Sequence, residues 1–511
     1  MDEERKRSTR KILVIEKGTY MKISNDIKEY YNLINGKALS AQLGKTIDSM
    51  DPATGEVWAA VPSSTLEDVE EAIASARHAL PGWSAIPALE RSNYLRQIGD
   101  AVAQHAEELA ELETRDNGWV IRETNYGLIP SLTSIWYDAA GATYLGSRGE
   151  TTQLGPSTVG YTLREPLGVV VGIIPWNSPL FTFTIKAAYA LAAGNTVIIK
   201  PSELAAVSSL RLGEIIQEIL PPGVLNVISG YGSEIGDALV SHRLINKVTL
   251  TGSLHTAKTI ARSTASNPKP LTFELGGKSP NIVFADADLL KAAQGVTLNG
   301  IFTGNAGQIC VGGSRILIQR SVFDEMIDLM KQQVENGIQL GNTMSFETSM
   351  GPVANKAQYE KVCSYLELGA KEEGKIIFGG RAGGSVVLPD QPQFADGYWV
   401  EPTLIRVNDN SLRICQEEIF GPVAVVMPFD TEEESIAIAN DTSYGLGAGV
   451  WTSNLERAHR MIRSLESGNV WVNTYRRVGP ELPFAGHKDS GIGSDSVLEF
   501  TREKTCYIEI G

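Results

Sequence analysis

Short runs of β-branched residues alternate with helical segments through the first half of the chain, and this alternation limits the fold more than any other feature. We predict strands at 168–174, 195–200, 224–228 and 247–251. Helical periodicity marks the stretches between them, near 180–193, 205–219, 233–241 and 255–264. Strands that alternate with helices build a parallel sheet whose faces the helices cover. The sequence therefore predicts an α/β fold.

The chain has 511 residues, more than one hydrophobic core usually serves, so we expect at least two domains. Helices are predicted at 65–80 and 88–115, ahead of the strands, and the second of them is amphipathic. The boundaries that we predict are 1–22 for an N-terminal extension, 23–143 and 167–276 for a first domain, 277–480 for a second α/β domain, and 144–166 with 481–511 for a small β arm and C-terminal segment.

The charge balance is acidic, because 45 Lys and Arg stand against 60 Asp and Glu for a net charge of −15. Such a balance disfavours nucleic acid and anionic membranes as partners. The four cysteines lack the spacing of a metal site, so we expect free thiols, no bound metal and a cytoplasmic location. Residues 1–22 hold one short apolar run, which predicts a disordered or strand-forming extension and no signal or membrane segment.

Cys310 and Glu274 are the candidate nucleophile and base. Cys310 lies among glycines, which predicts a sharply bent backbone there and disfavours a core helix. A thiolate is the most nucleophilic common side chain near neutral pH, and a carboxylate beside an acylated sulfur can activate water. The alternatives are that Cys310 is a small buried hydrophobe and that Glu274 is a solvated surface charge.

Asn177 directly follows the strand predicted at 168–174. Ligands of open α/β sheets bind at the carboxyl ends of the strands. A side-chain amide at that edge can stabilise an oxyanion without titrating. The alternative is that Asn177 is a turn residue or a helix cap.

These residues lie in motifs through which the chain resembles the NAD(P)-dependent aldehyde dehydrogenase superfamily, from about Tyr30 to its C-terminus. The matching segments are PWNSPL (175–180), NTVIIKPSE (195–203), FELGGKSPNIVFADAD (273–288), GNAGQIC (304–310), EEIFGPV (417–423), NDTSYGLGAGVWT (440–452), GNVWVN (468–473) and PFAGHKDSG (483–491). The resemblance implies a Rossmann-like NAD(P)-binding domain, a catalytic second domain and an active site in the cleft between them. It also implies an arm that joins a neighbouring subunit's sheet, and hence a homodimer or homotetramer.

The resemblance also implies a set of cofactor-binding residues. Lys200 and Glu203 match the pair at the adenosine ribose, where a carboxylate favours NAD over NADP, although NADP stays open. Gly252 and Ser253 match the turn at the pyrophosphate, where Ala257 replaces a glycine and narrows the approach. The other cofactor positions are Trp176, Ser202, Leu275, Gly276, Glu418 and Phe420.

The reaction implied is oxidation of a small aldehyde to the acid through a thiohemiacetal and a thioester on Cys310, with Asn177 at the oxyanion and Glu274 activating water. Lys278 either orients Glu274 or a water relay, or is a salt-bridged surface lysine. Two other functions stay open: a CoA-acylating semialdehyde dehydrogenase, which would not need Glu274, and a non-catalytic structural protein.

The substrate pocket is the least constrained part. A medium aliphatic or aromatic aldehyde is the expectation. An arginine of the last loop could bind a substrate carboxylate, and the alternative is a solvated arginine. The candidate pocket residues are Ser178, Ile309, Val311, Arg476 and Phe484, together with Trp136, Tyr137, Tyr475 and Arg477.

Overall fold

Two sheets with mostly parallel strands form the body of the computed structural model, which describes residues 12–16, 19–23, 27–371 and 374–510. The first sheet has eight strands, of which the five central ones are parallel. Its strands, in spatial order, are Gly491–Ile492, Leu271–Glu274, Lys247–Thr251, Val169–Ile174, Thr196–Pro201, Leu225–Val227, Asn32–Ile34 and Lys37–Leu39.

Helices cover both faces of the first sheet. Alternate residues of one strand enter different cores: Val170 packs in one apolar cluster, and Val169 and Val171 pack in another. This is the pattern of a strand buried on both faces. The helices that precede or follow these strands are Leu66–Ala85, Ala88–Gln104, Ala106–Asn117, Ile121–Glu123, Ile129–Ala142, Pro179–Ala192, Val207–Gln217, Gly232–Ser241 and Leu254–Ser263.

The second sheet has seven strands and is parallel except at one edge. Its strands, in spatial order, are Lys375–Phe378, Thr403–Arg406, Val423–Phe429, Arg315–Gln319, Pro280–Val283, Gly447–Trp451 and Asn469–Val472. Its helices are Leu289–Thr297, Phe323–Gly337, Lys356–Lys371, Gly384–Val387, Arg413–Gln416, Glu432–Asn440 and Leu455–Ser464. The predicted α/β class, with a Rossmann-like first domain, is confirmed.

A third, antiparallel sheet joins two distant parts of the chain. Thr501–Glu509 pairs along its whole length with Thr158–Pro166, which also pairs with Thr151–Gln153. Leu163, Tyr507 and Ile508 are exposed on these strands. The segments predicted as an arm therefore pair with each other, and the terminal strand lies at an edge where a further strand could add.

Smaller sheets complete the fold. Lys28–Glu29, Glu56–Pro62 and Thr46–Asp51 form one, and Tyr444–Gly445 pairs with His487–Lys488. In the predicted N-terminal extension, Ile12–Glu16 pairs with Thr19–Ile23, while residues 1–11 and 17–18 lie outside the described residues. Within the described ranges, no helix is both long and apolar enough to cross a membrane.

The prediction of one helix over 88–115 is wrong in one respect. The segment forms two helices that meet at His105, whose φ of −100° and ψ of 21° leave the helical region. The apolar spacing continues across the break, and periodicity detects spacing rather than the dihedral angles of a single residue.

Candidate active site

Cys310, Glu274 and Asn177 line one cavity of about 1930 Å³. Glu274 and Asn177 belong to the first sheet and its connections, whereas Cys310 lies in the loop that precedes a strand of the second sheet. The cavity thus lies between the two sheets. Its volume is roughly twice the ~1,000 Å³ of a large small-molecule pocket, so it has room for two ligands.

The loop before Cys310 is sharply bent, as the flanking glycines predict. Ala306 and Gly307 both have left-handed backbones, with φ of 55° and 70°. A Cβ on Gly307 would lie 2.6 Å from the carbonyl oxygen of Gly421, so a side chain there has no space. The bend leaves Cys310 half-buried at the wall of the cavity.

Asn177 is joined directly to this loop. Its Nδ2 donates a hydrogen bond to the carbonyl oxygen of Gln308 at 2.7 Å. Gln308 is itself fixed, because its Nε2 donates to the Asn305 carbonyl at 2.6 Å and its Oε1 accepts from the Ala354 N–H at 2.9 Å. An amide nitrogen carries two hydrogens, so Asn177 keeps a second donor.

Glu274 ends the strand Leu271–Glu274 and is buried, and its two carboxylate oxygens make no hydrogen bond within the described part of the chain. Burial raises its pKa well above the usual carboxylic-acid range; the charge of Asp495 raises it further, and Lys186 opposes the rise. Burial, with the charges of Glu274 and Glu418, likewise raises the pKa of Cys310 to about 12. Both groups are therefore uncharged at neutral pH, and higher pH or a nearby positive charge favours their ionised, reactive forms.

A buried polar cluster borders Glu274, and sequence reasoning missed it. Lys186 Nζ lies 2.8 Å from Asp495 Oδ2 and 2.8 Å from Thr249 Oγ1, and Thr249 donates to Asp495 Oδ1 at 2.7 Å. Lys186 and Asp495 both line the cavity. The sequence does carry a sign of this cluster, because Lys186 is the only charged residue in the apolar helix Pro179–Ala192.

Glu418 and Phe420 also line the cavity, as the resemblance implies. Glu418 Oε1 accepts a hydrogen bond from the Gly277 N–H at 2.9 Å. The ring of Phe420 packs edge-on against Trp176 with centroids 5.5 Å apart, and its backbone has a φ of 60°. A left-handed backbone at a bulky residue is strained and is typical of functional sites.

Gly252 and Ser253 line the cavity where the helix Leu254–Ser263 begins. Ser253 Oγ accepts from the Thr256 N–H at 3.1 Å and so caps this helix. Ala257 is buried in the apolar core of the first sheet. Its methyl group therefore packs inward, and the expectation that it narrows the approach of an anion is wrong.

Four predicted site residues do not line the cavity: Lys200, Ser202, Glu203 and Lys278. Lys200 pairs with Glu203 at 3.3 Å at the end of the strand Thr196–Pro201. Lys278 is buried, and its Nζ donates to the carbonyl oxygen of Glu417 at 2.7 Å; burial lowers its pKa to about 7. Its hydrogen bond goes to Glu417 rather than to Glu274, and it is not a surface lysine.

The predicted pocket residues Ser178, Ile309, Val311, Arg476 and Phe484 line the cavity, and so does Tyr137. Three further candidates do not. Trp136 is buried on another side of its helix, because neighbouring helical residues point about 100° apart. Tyr475 is buried and donates its hydroxyl to the Val311 carbonyl at 2.7 Å, and Arg477 is exposed outside the cavity.

Glu123 also lines the cavity, and no sequence motif predicts it. Its Oε2 accepts from Trp119 Nε1 at 2.8 Å, and its Oε1 accepts from the Gly304 N–H at 3.0 Å. It thereby ties the short helix Ile121–Glu123 to the loop of Cys310.

The geometry agrees with the chain's similarity to known proteins. The model of the aldehyde dehydrogenase family matches residues 39–507. A betaine aldehyde dehydrogenase of Mesorhizobium japonicum is 40% identical over 485 residues, which cover 94% of this chain and 97% of that protein. The NAD+ complex of an aldehyde dehydrogenase from Bacillus cereus superposes with a TM-score of 0.90 at 38% identity, covering 95% of this chain and 97% of that one. An NAD-dependent aldehyde dehydrogenase from Sinorhizobium meliloti gives the same TM-score of 0.90 at 34% identity, covering 95% of each chain.

The chain belongs to the aldehyde dehydrogenase family. The family predicted from the sequence motifs, and with it the prediction of an enzyme, is confirmed.

Proposed function

We propose that this chain oxidises an aldehyde to the carboxylic acid with NAD through a covalent intermediate on Cys310. The overall reaction consumes aldehyde, water and NAD+ and yields acid, NADH and one proton. The observation that carries the proposal is that Cys310, Glu274 and Asn177 line one cavity, although two different sheets supply them.

The residues of the cavity fit a dinucleotide. Glycine at 276 leaves the space that the Glu418 carboxylate fills, since a Cβ there would lie 2.3 Å from Glu418 Oε2. The helix start at Ser253 offers backbone N–H groups and a dipole suited to a pyrophosphate. The residues that would hold the cofactor are Trp176, Gly252, Ser253, Leu275, Gly276, Glu418 and Phe420, which all line the cavity.

Glu203 supports NAD over NADP. Its carboxylate is partly exposed and paired with Lys200 at 3.3 Å, at the carboxyl end of a strand of the first sheet. A carboxylate accepts hydrogen bonds from ribose hydroxyls and repels a 2′-phosphate. The relatives from Bacillus cereus and Sinorhizobium meliloti are, by their descriptions, an NAD+ complex and an NAD-dependent enzyme. We place Lys200, Ser202 and Glu203 at the adenosine end of the site, with Ser202 following that strand.

The Cys310 thiol releases its proton to water, and the resulting thiolate attacks the aldehyde carbon to form a thiohemiacetal on the sulfur. The free N–H of Asn177 stabilises the oxygen that becomes negative. A single donor of this kind contributes about 3 to 4 kcal/mol to the transition state. The bond from Asn177 to Gln308 holds the amide against the loop that carries the sulfur.

When bound, NAD supplies the hydride acceptor that converts the Cys310 thiohemiacetal to a thioester. In its ionised form, Glu274 then takes a proton from water, and the resulting hydroxide attacks the thioester carbon. The carbon–sulfur bond breaks, the acid leaves and Cys310 regains its proton. Lys278 acts indirectly, because it fixes the Glu417 carbonyl beside Glu418.

The proposal is tested by rapid mixing of enzyme, NAD and aldehyde. Glu274→Gln should keep the initial burst of NADH and slow the steady state by a factor of about 10² to 10⁴, since only thioester hydrolysis needs the base. Cys310→Ala should give no burst. A Glu274→Gln variant that turns over at the parental rate would contradict the role of Glu274 as the base. Formation of an acyl-CoA thioester, with no free acid when coenzyme A is absent, would replace hydrolysis with acyl transfer.

We further propose a cytoplasmic homodimer or homotetramer. The exposed apolar residues Tyr507, Ile508 and Leu163 on the third sheet support assembly through its edge, and the free thiols of Cys310, Cys363 and Cys506 fit a reducing compartment. Light scattering of the purified protein tests the assembly, and a monomer at micromolar concentration would contradict it.

A further inference from the structure

We infer that the substrate carries a carboxylate and that Arg476 binds it, so that the chain acts on oxo acids. This inference rests on the proposed function and names the substrate class of the same site.

Arg476 is held at the cavity by its backbone. It lines the cavity and has a φ of 61°, in the left-handed region that an arginine rarely adopts. Such a strained backbone persists only where the surrounding structure imposes it. The loop therefore fixes the backbone from which this side chain extends.

The guanidinium of Arg476 has N–H donors that are not used in hydrogen bonds to the described residues. Its Nη1 is buried and finds no acceptor among the described residues. Its Nη2 lies 3.9 Å from Glu123 Oε2, which is beyond hydrogen-bond distance. Each oxygen of Glu123 already accepts another hydrogen bond, from Trp119 and from Gly304, so Glu123 satisfies the charge of Arg476 only in part.

Arg476 also stands close to the nucleophile. Tyr475, the residue before it, donates to the carbonyl of Val311, the residue after Cys310. Glu123, its ionic neighbour, accepts from Gly304 in the same loop. Arg476 is thus held between two anchors on the loop that carries the sulfur, where it can contact the distal end of a bound aldehyde.

The ligand that suits such a group is a planar anion. Guanidinium binds a carboxylate through two parallel hydrogen bonds, and partial burial strengthens both. A quaternary ammonium such as that of betaine aldehyde would meet a charge of its own sign. The other nearby carboxylates of the wall, Glu347 and Glu481, are exposed, so water and salt screen their repulsion of an anion.

The test compares three aldehydes with the full-length enzyme and NAD: 4-oxobutanoate, the neutral aldehyde butanal, and betaine aldehyde. The parental enzyme should have the highest kcat/KM for 4-oxobutanoate. Arg476→Gln should lower that value by about 10- to 100-fold, mainly through KM, because a charge-assisted hydrogen bond is lost. Its kcat/KM for butanal should change less than about twofold. Arg477→Gln is the matched control, since its side chain is exposed outside the cavity, and it should change neither value.

Arg476→Lys keeps the charge and loses the paired donors. Its kcat/KM for 4-oxobutanoate should therefore lie between the values of the parental enzyme and of Arg476→Gln. Equal losses with 4-oxobutanoate and butanal in Arg476→Gln would mean a structural role and would overturn the inference. So would a parental preference for betaine aldehyde or butanal; in either case the proposed oxidation of aldehydes would stand. If no aldehyde of any class reduced NAD, the proposed function itself would fail, and this inference with it.

Discussion

Lys186 and Asp495 form an ion pair, 2.8 Å between Nζ and Oδ2, in which the two side chains are only 1% and 5% exposed. They are 309 positions apart in the sequence and meet at the wall of the cavity beside Glu274. A pair this buried stabilises the fold only while both charges are present.

Asp495→Asn should therefore lower the free energy of unfolding by about 3–5 kcal/mol, because it leaves the Lys186 ammonium buried without its counter-ion. Urea unfolding monitored by circular dichroism measures the change. Asp430→Asn is the control: it breaks the exposed pair with Arg320, which is 56% and 54% exposed, and should barely move the midpoint. Equal midpoints for the two variants would show that the buried pair adds nothing.

The steady-state rate should rise with pH above neutrality. Burial and the charge of Asp495 raise the pKa of Glu274, so the carboxylate that activates water becomes more abundant as pH increases. Asp495→Asn removes one charge that raises this pKa and frees Lys186, which lowers it, so the profile should move to lower pH. The test is the rate of thioester hydrolysis measured between pH 6 and 9 for both enzymes. If Asp495→Asn had the same pH profile as the parental enzyme, the charge of Asp495 would not influence Glu274.

Gly276→Ala should impair NAD binding. A Cβ at this position would lie 2.3 Å from Glu418 Oε2, so the carboxylate must move. Displacement of a positioning group by about 1 Å can cost on the order of 10²-fold. The KM for NAD should rise and the burst rate should fall. Gly236→Ala, where no described atom lies within 4 Å of the added carbon, should behave like the parental enzyme.

Lys278→Met should change how stability depends on pH. Burial lowers the pKa of Lys278 to about 7 in the folded state, whereas an unfolded lysine titrates near 10.4. The unfolded chain thus binds more protons between these values, and this lysine makes stability rise as pH increases from about 7 to 10. The unfolding free energy of the parental enzyme should therefore rise relative to that of Lys278→Met over that range. If the two unfolding free energies changed in parallel between pH 7 and 10, a pKa of about 7 for Lys278 would be contradicted.

The strands were predictable because β-branched runs such as 168–174 are buried on both faces and read as continuous apolar stretches. The break at His105 was not, since it changes the dihedral angles of one residue without changing the apolar spacing. Cys310, Glu274 and Asn177 could be proposed from local motifs. Partners distant in sequence could not be paired from sequence alone, because it does not show which polar groups meet across the fold.

The pairing of Gly491–Ile492 with Leu271–Glu274 has a consequence for how the molecule matures. During translation the sulfur and the carboxylate emerge long before the strand that flanks Glu274, while domains begin to fold as they leave the ribosome. A nascent chain would hold its reactive pair in an unfinished sheet, and only a polypeptide that already includes Gly491–Ile492 could become a working catalyst.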